Sequence, residues 1–451
     1  MRNQTDSHRE AHFRATRLRR FRGVATAGTV AAALVVHMAR ARGESDARRV
    51  PGPLERSRSV AVSDVDGTAI KREPSREADV VGRTMSRVRL PVLELRQASG
   101  CRQPWVRIGD EAWVCGDRVQ PSGEAPNSAS VLADQRSGPL PWDYVFTAAN
   151  GIRAYRSVDA ALRGDNDDAT SESWEANWGM AVQLELLSGN ARVLRTRNGF
   201  FLQRGAVYRA TPSTFAGGTF ETLEGDEPGI PFGWIAVGGT FVYPEAHEAR
   251  AVSRLPRLSR VRVYALRPGE RGKTFARIGP GQWVRADHVR WIAPAPPPET
   301  ANLAASEHWI DVDLTSQTLI AYEGVRPVYA TMVSTGDRLA TQPGLFHVWG
   351  KYLAHTMDNT ESTGVRGHYR LGDVPWVQFF DRDRGFHAVY WHDEFGVPRS
   401  HGCVNMAPRD AEFLFHFTNH ALPEGWISRM IPAGAGTLVR VRGRFVTQDP
   451  S

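Results

Sequence analysis

Long apolar runs, excess charge and cysteine are all scarce in this chain of 451 residues. Its apolar N-terminal stretch, residues 23–39, is shorter than the ~20 residues that a membrane-spanning helix needs. The net charge of +7 comes almost wholly from residues 1–41, which hold eight arginines against Asp6 and Glu10. Without them, 56 basic residues fall to 48 and 49 acidic residues fall to 47. The remaining chain is about neutral, so we expect no nucleic-acid partner.

The N-terminus has the three parts of a secretory signal. Five arginines between residues 14 and 22 precede the apolar stretch, which ends at the small-x-small sequence Ala39-Arg40-Ala41. We therefore expect residues 1–41 to be a signal peptide and the protein to be exported to the periplasm or cell envelope. An uncleaved membrane anchor is the alternative.

Cysteine occurs three times, as Cys101, Cys115 and Cys403, and neither Cys-x-x-Cys nor His-Glu-x-x-His spacing is present. The common zinc motifs are therefore missing. In an exported protein an odd number of cysteines leaves one thiol unpaired. Cys101 and Cys115 flank two short apolar runs, a spacing that suits a disulfide across a hairpin. Cys403 is then expected to be the free thiol.

One internal repeat is visible, because residues 105–119 match residues 275–289 at a constant offset. Short alternating strands broken by Gly, Pro and Asp surround both copies, a pattern typical of small β-barrels or sandwiches. The repeat, with Trp113-Val and Trp283-Val in its closing hairpins, resembles the bacterial Src-homology-3-like domain. That resemblance implies binding of cell-wall peptides or a spacer role, whereas both tryptophans can equally be core residues. Modules are expected at 58–121 and 233–293, with a weaker third copy at 143–210.

A proline-rich segment, residues 294–306, reads as a stiff linker to a last domain at 307–442. There Ile310, Val312 and Leu314 alternate with two aspartates, which indicates a half-buried strand. Pro408 opens a short amphipathic helix. The fold class expected is mainly β and multidomain, with small β-barrel modules ahead of the last domain.

The chemistry concentrates between residues 385 and 406. A thiol attacks as its thiolate, and an imidazole can lower its pKa and accept its proton, so Cys403 and His387 form a nucleophile–base pair. In Ser400-His401-Gly402-Cys403, the amides of Gly402 and Cys403 could face an oxyanion. Two alternatives stay open on these residues: a purely structural role, or a zinc site formed by His387, His392, His401 and Cys403.

The block from His387 to Asn405 resembles the signature of the L,D-transpeptidase catalytic domain, a His followed by Ser-His-Gly-Cys-x-Asn. The resemblance implies a β-sandwich-like fold, with Cys403 as nucleophile and His387 as general acid and base. The remaining motif positions are Ser400, His401, Gly402 and Asn405. One departure is Ala388, because relatives usually carry Gly or Ser after the base. Whether a backbone carbonyl or a side chain orients His387 is open.

The resemblance also implies a substrate, the peptidoglycan stem peptide, and a reaction that needs neither metal nor cofactor. Cys403 would form a thioester with a donor tetrapeptide, and an amine would then resolve it, which serves cell-wall biogenesis and cell shape. Tyr369 and Trp391 would line the cleft or belong to the core. Two alternatives remain: an L,D-carboxypeptidase or other peptidoglycan hydrolase, and a non-enzymatic cell-wall binding protein held by its modules.

Overall fold

The computed structural model describes residues 52–62, 67–127, 138–170, 173–188, 191–225, 227–248, 250–299, 303–360 and 368–443. Residues 1–41 lie outside these ranges, so the signal peptide stays a prediction. Within them the protein is mainly β, as the sequence predicted, with three short α-helices. None of the helices in this described part is long and apolar enough to cross a membrane.

The first repeat copy forms eight short strands, and its buried residues, such as Val60 and Val106, belong to the same apolar core as Ile310 of the last domain. Its central strand β1 pairs with β4 and β8, while β5, β6 and β7 form a meander that the β2–β3 hairpin extends. The predicted disulfide between Cys101 and Cys115 is confirmed. The strands are β1 (Ser59–Ala61), β2 (Ala69–Lys71), β3 (Val80–Thr84), β4 (Arg89–Pro91), β5 (Glu94–Arg96), β6 (Trp105–Gly109), β7 (Ala112–Cys115) and β8 (Gln120–Ser122).

The middle segment, residues 143–210, holds five strands and one helix. The helix begins at Ser157, whose hydroxyl accepts a bond from the Ala160 amide, and ends at Gly164 in the left-handed conformation. The elements are β9 (Asp143–Thr147), α1 (Val158–Arg163), β10 (Gly179–Ser188), β11 (Ala191–Thr196), β12 (Phe201–Gln203) and β13 (Val207–Arg209).

The second repeat copy again has eight strands, and a short strand and helix precede it. These elements are β14 (Gly218–Thr219), α2 (Phe220–Glu224), β15 (Phe232–Ile235), β16 (Thr240–Val242), β17 (Ser253–Leu255), β18 (Arg260–Arg262), β19 (Ala265–Pro268), β20 (Thr274–Gly279), β21 (Gln282–Arg285) and β22 (Val289–Trp291).

Strand pairing repeats in step with the sequence. In the first copy β1 pairs with β4 and β8, and in the second β15 pairs with β18 and β22. The meander β5–β6–β7 corresponds to β19–β20–β21. The middle segment follows a similar scheme. Its strand β9 pairs with β10 and β13, as β1 pairs with β4 and β8, and β10, β11 and β12 form a meander like β5, β6 and β7. The one long strand β10 thus takes the places of both β4 and β5. We keep the assignment of all three as Src-homology-3-like modules as a proposal.

The C-terminal region folds into two sheets with one helix. The first sheet has the order β14-β25-β24-β23-β32-β26, and the second contains the long β27–β28 hairpin flanked by β31 and β29. Buried side chains from both sheets, such as Ile310 and Val377, belong to one apolar core. The elements are β23 (His308–Asp313), β24 (Thr318–Glu323), β25 (Arg326–Met332), β26 (Gly344–His347), β27 (Gly350–Asp358), β28 (Arg370–Asp381), β29 (Arg384–Ala388), β30 (Val404–Met406), α3 (Pro408–Phe417), β31 (Trp426–Met430) and β32 (Leu438–Arg442).

The strand expected to be half-buried is buried on both faces. Asp311 is only 1% exposed, because Arg440 and Arg442 of the parallel neighbour β32 donate to its two carboxylate oxygens at 2.6 and 2.8 Å. Arg442 also pairs with Asp313 at 2.7 Å. A charged residue can be buried where a partner neutralises it, and alternation alone cannot reveal that partner.

The proline-rich segment is bound to the last domain rather than free. Arg440 donates to the Pro296 carbonyl at 2.7 Å, and the Ala295 amide donates to the Tyr322 hydroxyl at 2.9 Å. Trp234 of the second repeat copy and Phe395 of the last domain belong to a common apolar core. The second repeat copy and the last domain are therefore packed against each other across this linker.

Candidate active site

Parallel pairing of β29 and β30 brings the predicted catalytic residues together. His387 lies opposite Asn405 in this pair, and the turn that carries Cys403 leads directly into β30. Side chains of His387 and Cys403 consequently line one cleft, although 16 residues separate them in sequence. Sheet pairing thus holds the base and the thiol on rigid backbone, which suits a catalytic pair.

Cys403 carries a partly exposed thiol, the free one among the cysteines. Its Sγ lies 3.7 Å from the Asp383 carbonyl oxygen. Burial raises the pKa of the Cys403 thiol to about 11, because desolvation disfavours the thiolate more than the Gly385 amide favours it. The expected lowering of this pKa by the imidazole is absent from the resting site, so the thiol is protonated at neutral pH.

His387 is held as a neutral base. Its Nδ1 lies 3.1 Å from the Ala388 carbonyl oxygen, which can only accept, so Nδ1 carries the proton and Nε2 keeps the lone pair. Burial lowers the pKa of His387 to about 4, and the side chain is only 2% exposed. A backbone carbonyl therefore orients the base, and the replacement of Gly or Ser by Ala388 leaves that contact intact.

Hydrogen bonds within the Ser400–Cys403 turn hold its conformation. Ser400 Oγ donates to the Cys403 carbonyl oxygen and accepts from the Gly402 amide at 3.0 Å. Gly402 has φ +140°, and a Cβ there would lie 2.9 Å from Arg384 Nε, so the position requires glycine. The Gly402 amide is thus already bonded, which corrects the expectation that it faces an oxyanion. The Cys403 amide has no partner among the described residues.

Thr341 fixes the direction of that Cys403 amide. Its hydroxyl donates to the Gly402 carbonyl oxygen at 2.7 Å and accepts from the Gly336 amide at 2.7 Å. The Gly402 carbonyl and the Cys403 N–H belong to one planar peptide unit, so holding the first orients the second. Thr341 is 61 residues from Gly402, and no local pattern around Cys403 signals this contact.

His392 and Asn405 support one another beside the site. The Glu394 amide donates to His392 Nδ1 at 3.1 Å, and Asn405 Nδ2 lies 2.9 Å from His392 Nε2 on the other side of the ring. Burial lowers the pKa of His392 to about 4, which keeps the ring neutral. This contact gives His392 and Asn405 a structural role next to His387.

Tyr369 and Trp391 both line the cleft, where the sequence placed them. The Tyr369 ring lies 5.4 Å from the exposed His401 ring, and the Trp391 ring lies 5.9 Å from the His387 imidazole. Burial raises the pKa of Tyr369, so its phenol stays protonated. Contact of either ring with substrate remains a proposal.

The zinc alternative fails on geometry. In the part of the chain that the structure describes, the one group of three potential ligands within 4.8 Å of one another is Cys101, Cys115 and Asp117. Its two cysteines form the disulfide and offer no thiolate. His387, His392, His401 and Cys403 form no such group.

The cleft has a volume of about 760 Å³ and is built from two parts of the chain. The last domain supplies the catalytic pair and its surroundings. The middle segment and the residue that follows it supply a wall that sequence reasoning missed, consisting of Phe146, Asn177, Tyr208, Arg209, Ala210 and Thr211.

Residues 307–441 match the model of the YkuD family, the L,D-transpeptidase catalytic domain. A mutant L,D-transpeptidase of Enterococcus faecium is 25% identical over 30% of this chain and 50% of its own, with a TM-score of 0.24. The L,D-transpeptidase of Stackebrandtia nassauensis is 27% identical over 32% of this chain and 60% of its own, with a TM-score of 0.23. The L,D-transpeptidase of Mycobacterium smegmatis is 14% identical over 58% of this chain and 99% of its own, with a TM-score of 0.25.

This chain spans about half of the Enterococcus faecium protein and about three fifths of the Stackebrandtia nassauensis protein. No curated protein matches it. On the strength of the family match and the His387–Asn405 motif that lies inside it, residues 307–441 are an L,D-transpeptidase catalytic domain.

Proposed function

We propose that this protein is a cell-wall L,D-transpeptidase that transfers a peptidoglycan tetrapeptide from a Cys403 thioester to an amine. One observation carries the proposal: a free, partly exposed thiol shares a cleft with a buried imidazole whose Nδ1 is fixed by the Ala388 carbonyl. This arrangement directs the basic Nε2 of His387 away from the backbone and leaves it available to a reacting group.

Acylation begins from a neutral pair. Cys403 Sγ attacks the donor carbonyl while His387 Nε2 takes its proton, because desolvation disfavours a free thiolate at this partly exposed position. The Cys403 amide, oriented through Thr341, donates to the oxyanion of the tetrahedral intermediate. Protonated His387 then gives its proton to the departing amine of the terminal D-Ala, the C–N bond breaks, and a thioester remains.

Transfer reverses the roles. The acceptor amine attacks the thioester carbonyl, and His387 Nε2 accepts a proton from it. A new amide bond forms as the C–S bond breaks, and the proton returns to the departing sulfur. Neutral His387 is available for both half-reactions above about pH 4, because burial lowers its pKa to that value.

Water is the competing acceptor, since Cys403 is partly exposed and the cleft is open to solvent. Purified full-length protein should be incubated with a soluble tetrapeptide and an excess of an amine acceptor, and the products analysed by mass spectrometry. We expect an amide-linked product that disappears with Cys403→Ala. Tripeptide alone would instead establish a carboxypeptidase, and no product from either route would favour the non-enzymatic cell-wall binding protein.

We place this activity in the cell envelope. L,D-transpeptidases are cell-wall enzymes, and a disulfide such as Cys101–Cys115 persists in oxidising compartments outside the cytosol. The signal peptide at 1–41 and cell-wall binding by the three modules belong to the same proposal. The location can be tested by fluorescence microscopy, which compares where in the cell a tagged full-length protein and a tagged protein lacking residues 1–41 accumulate.

A further inference from the structure

The middle segment contributes directly to the catalytic cleft. Asn177 and the stretch from Tyr208 to Thr211 line it together with Cys403 and His387. The family match starts at residue 307, so this wall lies outside the segment that the family model covers. Its residues are therefore a feature of this chain that the catalytic motif cannot describe.

Tyr208 is exposed and yet held in one position. Tyr208 is 45% exposed to solvent, although burial of a large aromatic ring normally stabilises a protein. The Phe146 ring stacks on the Tyr208 ring with 5.3 Å between their centroids. The Tyr208 hydroxyl donates to Asn177 Oδ1 at 2.8 Å. A rigid aromatic ring with one open face loses little conformational entropy on contact with a ligand, which is typical of binding hot spots.

Asn177 is held in an unusual backbone conformation. Its φ is +65°, in the left-handed region, and its amide donates to the Thr147 carbonyl at 2.9 Å. Because Asn177 Oδ1 accepts from Tyr208, its Nδ2 points its two donors elsewhere, and they have no partner in the described part of the chain. Positive φ is uncommon for non-glycine residues, although asparagine adopts it more readily than most.

An unbroken chain of aromatic contacts connects this wall to the catalytic base. Phe146 lies 5.6 Å from Tyr390, Tyr390 lies 5.0 Å from Trp391, and Trp391 lies 5.9 Å from the His387 ring. Close-packed rings have few alternative arrangements, so the position of Tyr208 relative to His387 is fixed by the core. The wall is thus preorganised with the catalytic pair.

We propose that Asn177 and Tyr208 form a peptide subsite of the catalytic cleft, in which a substrate peptide lies against the Tyr208 ring and one of its carbonyls accepts from Asn177 Nδ2. A peptide is favoured over a glycan because, in the proposed function, the group that reaches Cys403 in the same cleft is a peptide acyl group. The identity of that peptide as a cell-wall stem rests on the proposed function.

Equilibrium binding tests this subsite without turnover. Titration calorimetry should measure the Kd of a sugar-free tetrapeptide for full-length protein carrying Cys403→Ala. In this background we expect Tyr208→Ala to raise the Kd about tenfold or more, the loss of one central aromatic contact. Asn177→Gly, which tolerates the positive φ, should raise it several-fold. Tyr264→Ala is the matched control, because Tyr264 is 38% exposed, donates to a carboxylate of Glu227 and does not line the cleft.

Unchanged tetrapeptide binding in both Tyr208→Ala and Asn177→Gly, with unfolding midpoints like that of the parent, would overturn the subsite. It would equally be overturned if only a disaccharide-linked peptide responded, since the wall would then hold the glycan. Failure of the proposed function looks different. The protein with Cys403 intact would form no thioester, while the tetrapeptide would still bind in a Tyr208-dependent manner.

Discussion

Raising the pH should accelerate alkylation of Cys403 steadily, with no plateau near neutrality. Burial raises the pKa of its thiol to about 11, compared with 9.0 for an unperturbed cysteine. At pH 7 the thiolate fraction is then about 10⁻⁴ rather than about 10⁻². A more basic thiolate is also more nucleophilic, with a Brønsted slope of about 0.4–0.5. Over two pKa units this raises the rate constant of the thiolate roughly tenfold and offsets part of the loss. Iodoacetamide should therefore label Cys403 about tenfold more slowly than an exposed thiol at pH 7.

The assay is intact-protein mass spectrometry after timed labelling between pH 6 and 10. Logarithm of rate against pH should rise with unit slope across this range, because the thiolate fraction grows tenfold per pH unit below the pKa. Protein unfolded in urea is the matched control, since Cys403 then regains an ordinary pKa and Cys101 and Cys115 stay bridged. A plateau below about pH 8 in the folded protein, lost in His387→Ala, would reveal a preformed ion pair and refute the neutral resting state.

Three further changes probe how the fold supports the site. Thr341→Val removes the hydroxyl that orients the Cys403 amide, so kcat for tetrapeptide transfer should fall about tenfold or more with little change in KM, as measured by steady-state kinetics. Trp234→Ala opens a cavity in the core shared by the second repeat copy and the last domain, and should lower the free energy of unfolding by about 3–5 kcal/mol in a urea titration. Arg197→Ala leaves the buried carboxylate of Asp373 unpaired at the junction of the middle segment with β28, and should cost about 3–5 kcal/mol in the same titration. A loss below about 1 kcal/mol in either stability variant, or an unchanged kcat in Thr341→Val, would contradict the corresponding contact.

Local sequence patterns predicted the disulfide and led to the two residues, His387 and Cys403, that share one cleft. His387 and Cys403 line one cleft because a short parallel strand pair brings the ends of one motif together. Cys101 and Cys115 meet across a single hairpin. Both pairs of residues lie on segments that are close in sequence and whose residue types limit what they can do, so few alternative arrangements compete.

Contacts between distant segments could not be predicted in this way. Thr341 reaches the Gly402 carbonyl across 61 residues, and its identity as a threonine gives no hint of that partner. The Tyr208 wall arises because the middle segment packs against the last domain, where Tyr144 donates to the Asp373 carbonyl 229 residues away. The Gly402 amide was misjudged for a different reason, since Ser400 Oγ competes for it inside the turn itself.

The same long-range packing changes how the N-terminal modules should be regarded. Strand β3 of the first copy pairs with β31 of the last domain, and β10 of the middle segment pairs with β28. A chain cut after the proline-rich segment would expose these edges and the apolar core around Trp234. The modules therefore contribute to the catalytic unit as well as to any binding of the cell wall.

The central claim is that Cys403 forms an acyl-enzyme with His387 as its base. A carbapenem carries a strained acyl group that enzymes resembling this domain accept in place of the tetrapeptide, so it traps the intermediate directly. Full-length protein incubated with a carbapenem should gain the mass of one acyl group, located by peptide mapping on the peptide that contains Cys403. The adduct should be absent from Cys403→Ala and should form about 10²–10⁴-fold more slowly in His387→Ala. Full-rate acylation of the Cys403→Ala protein, or a wild-type protein that gains no mass, would contradict the account.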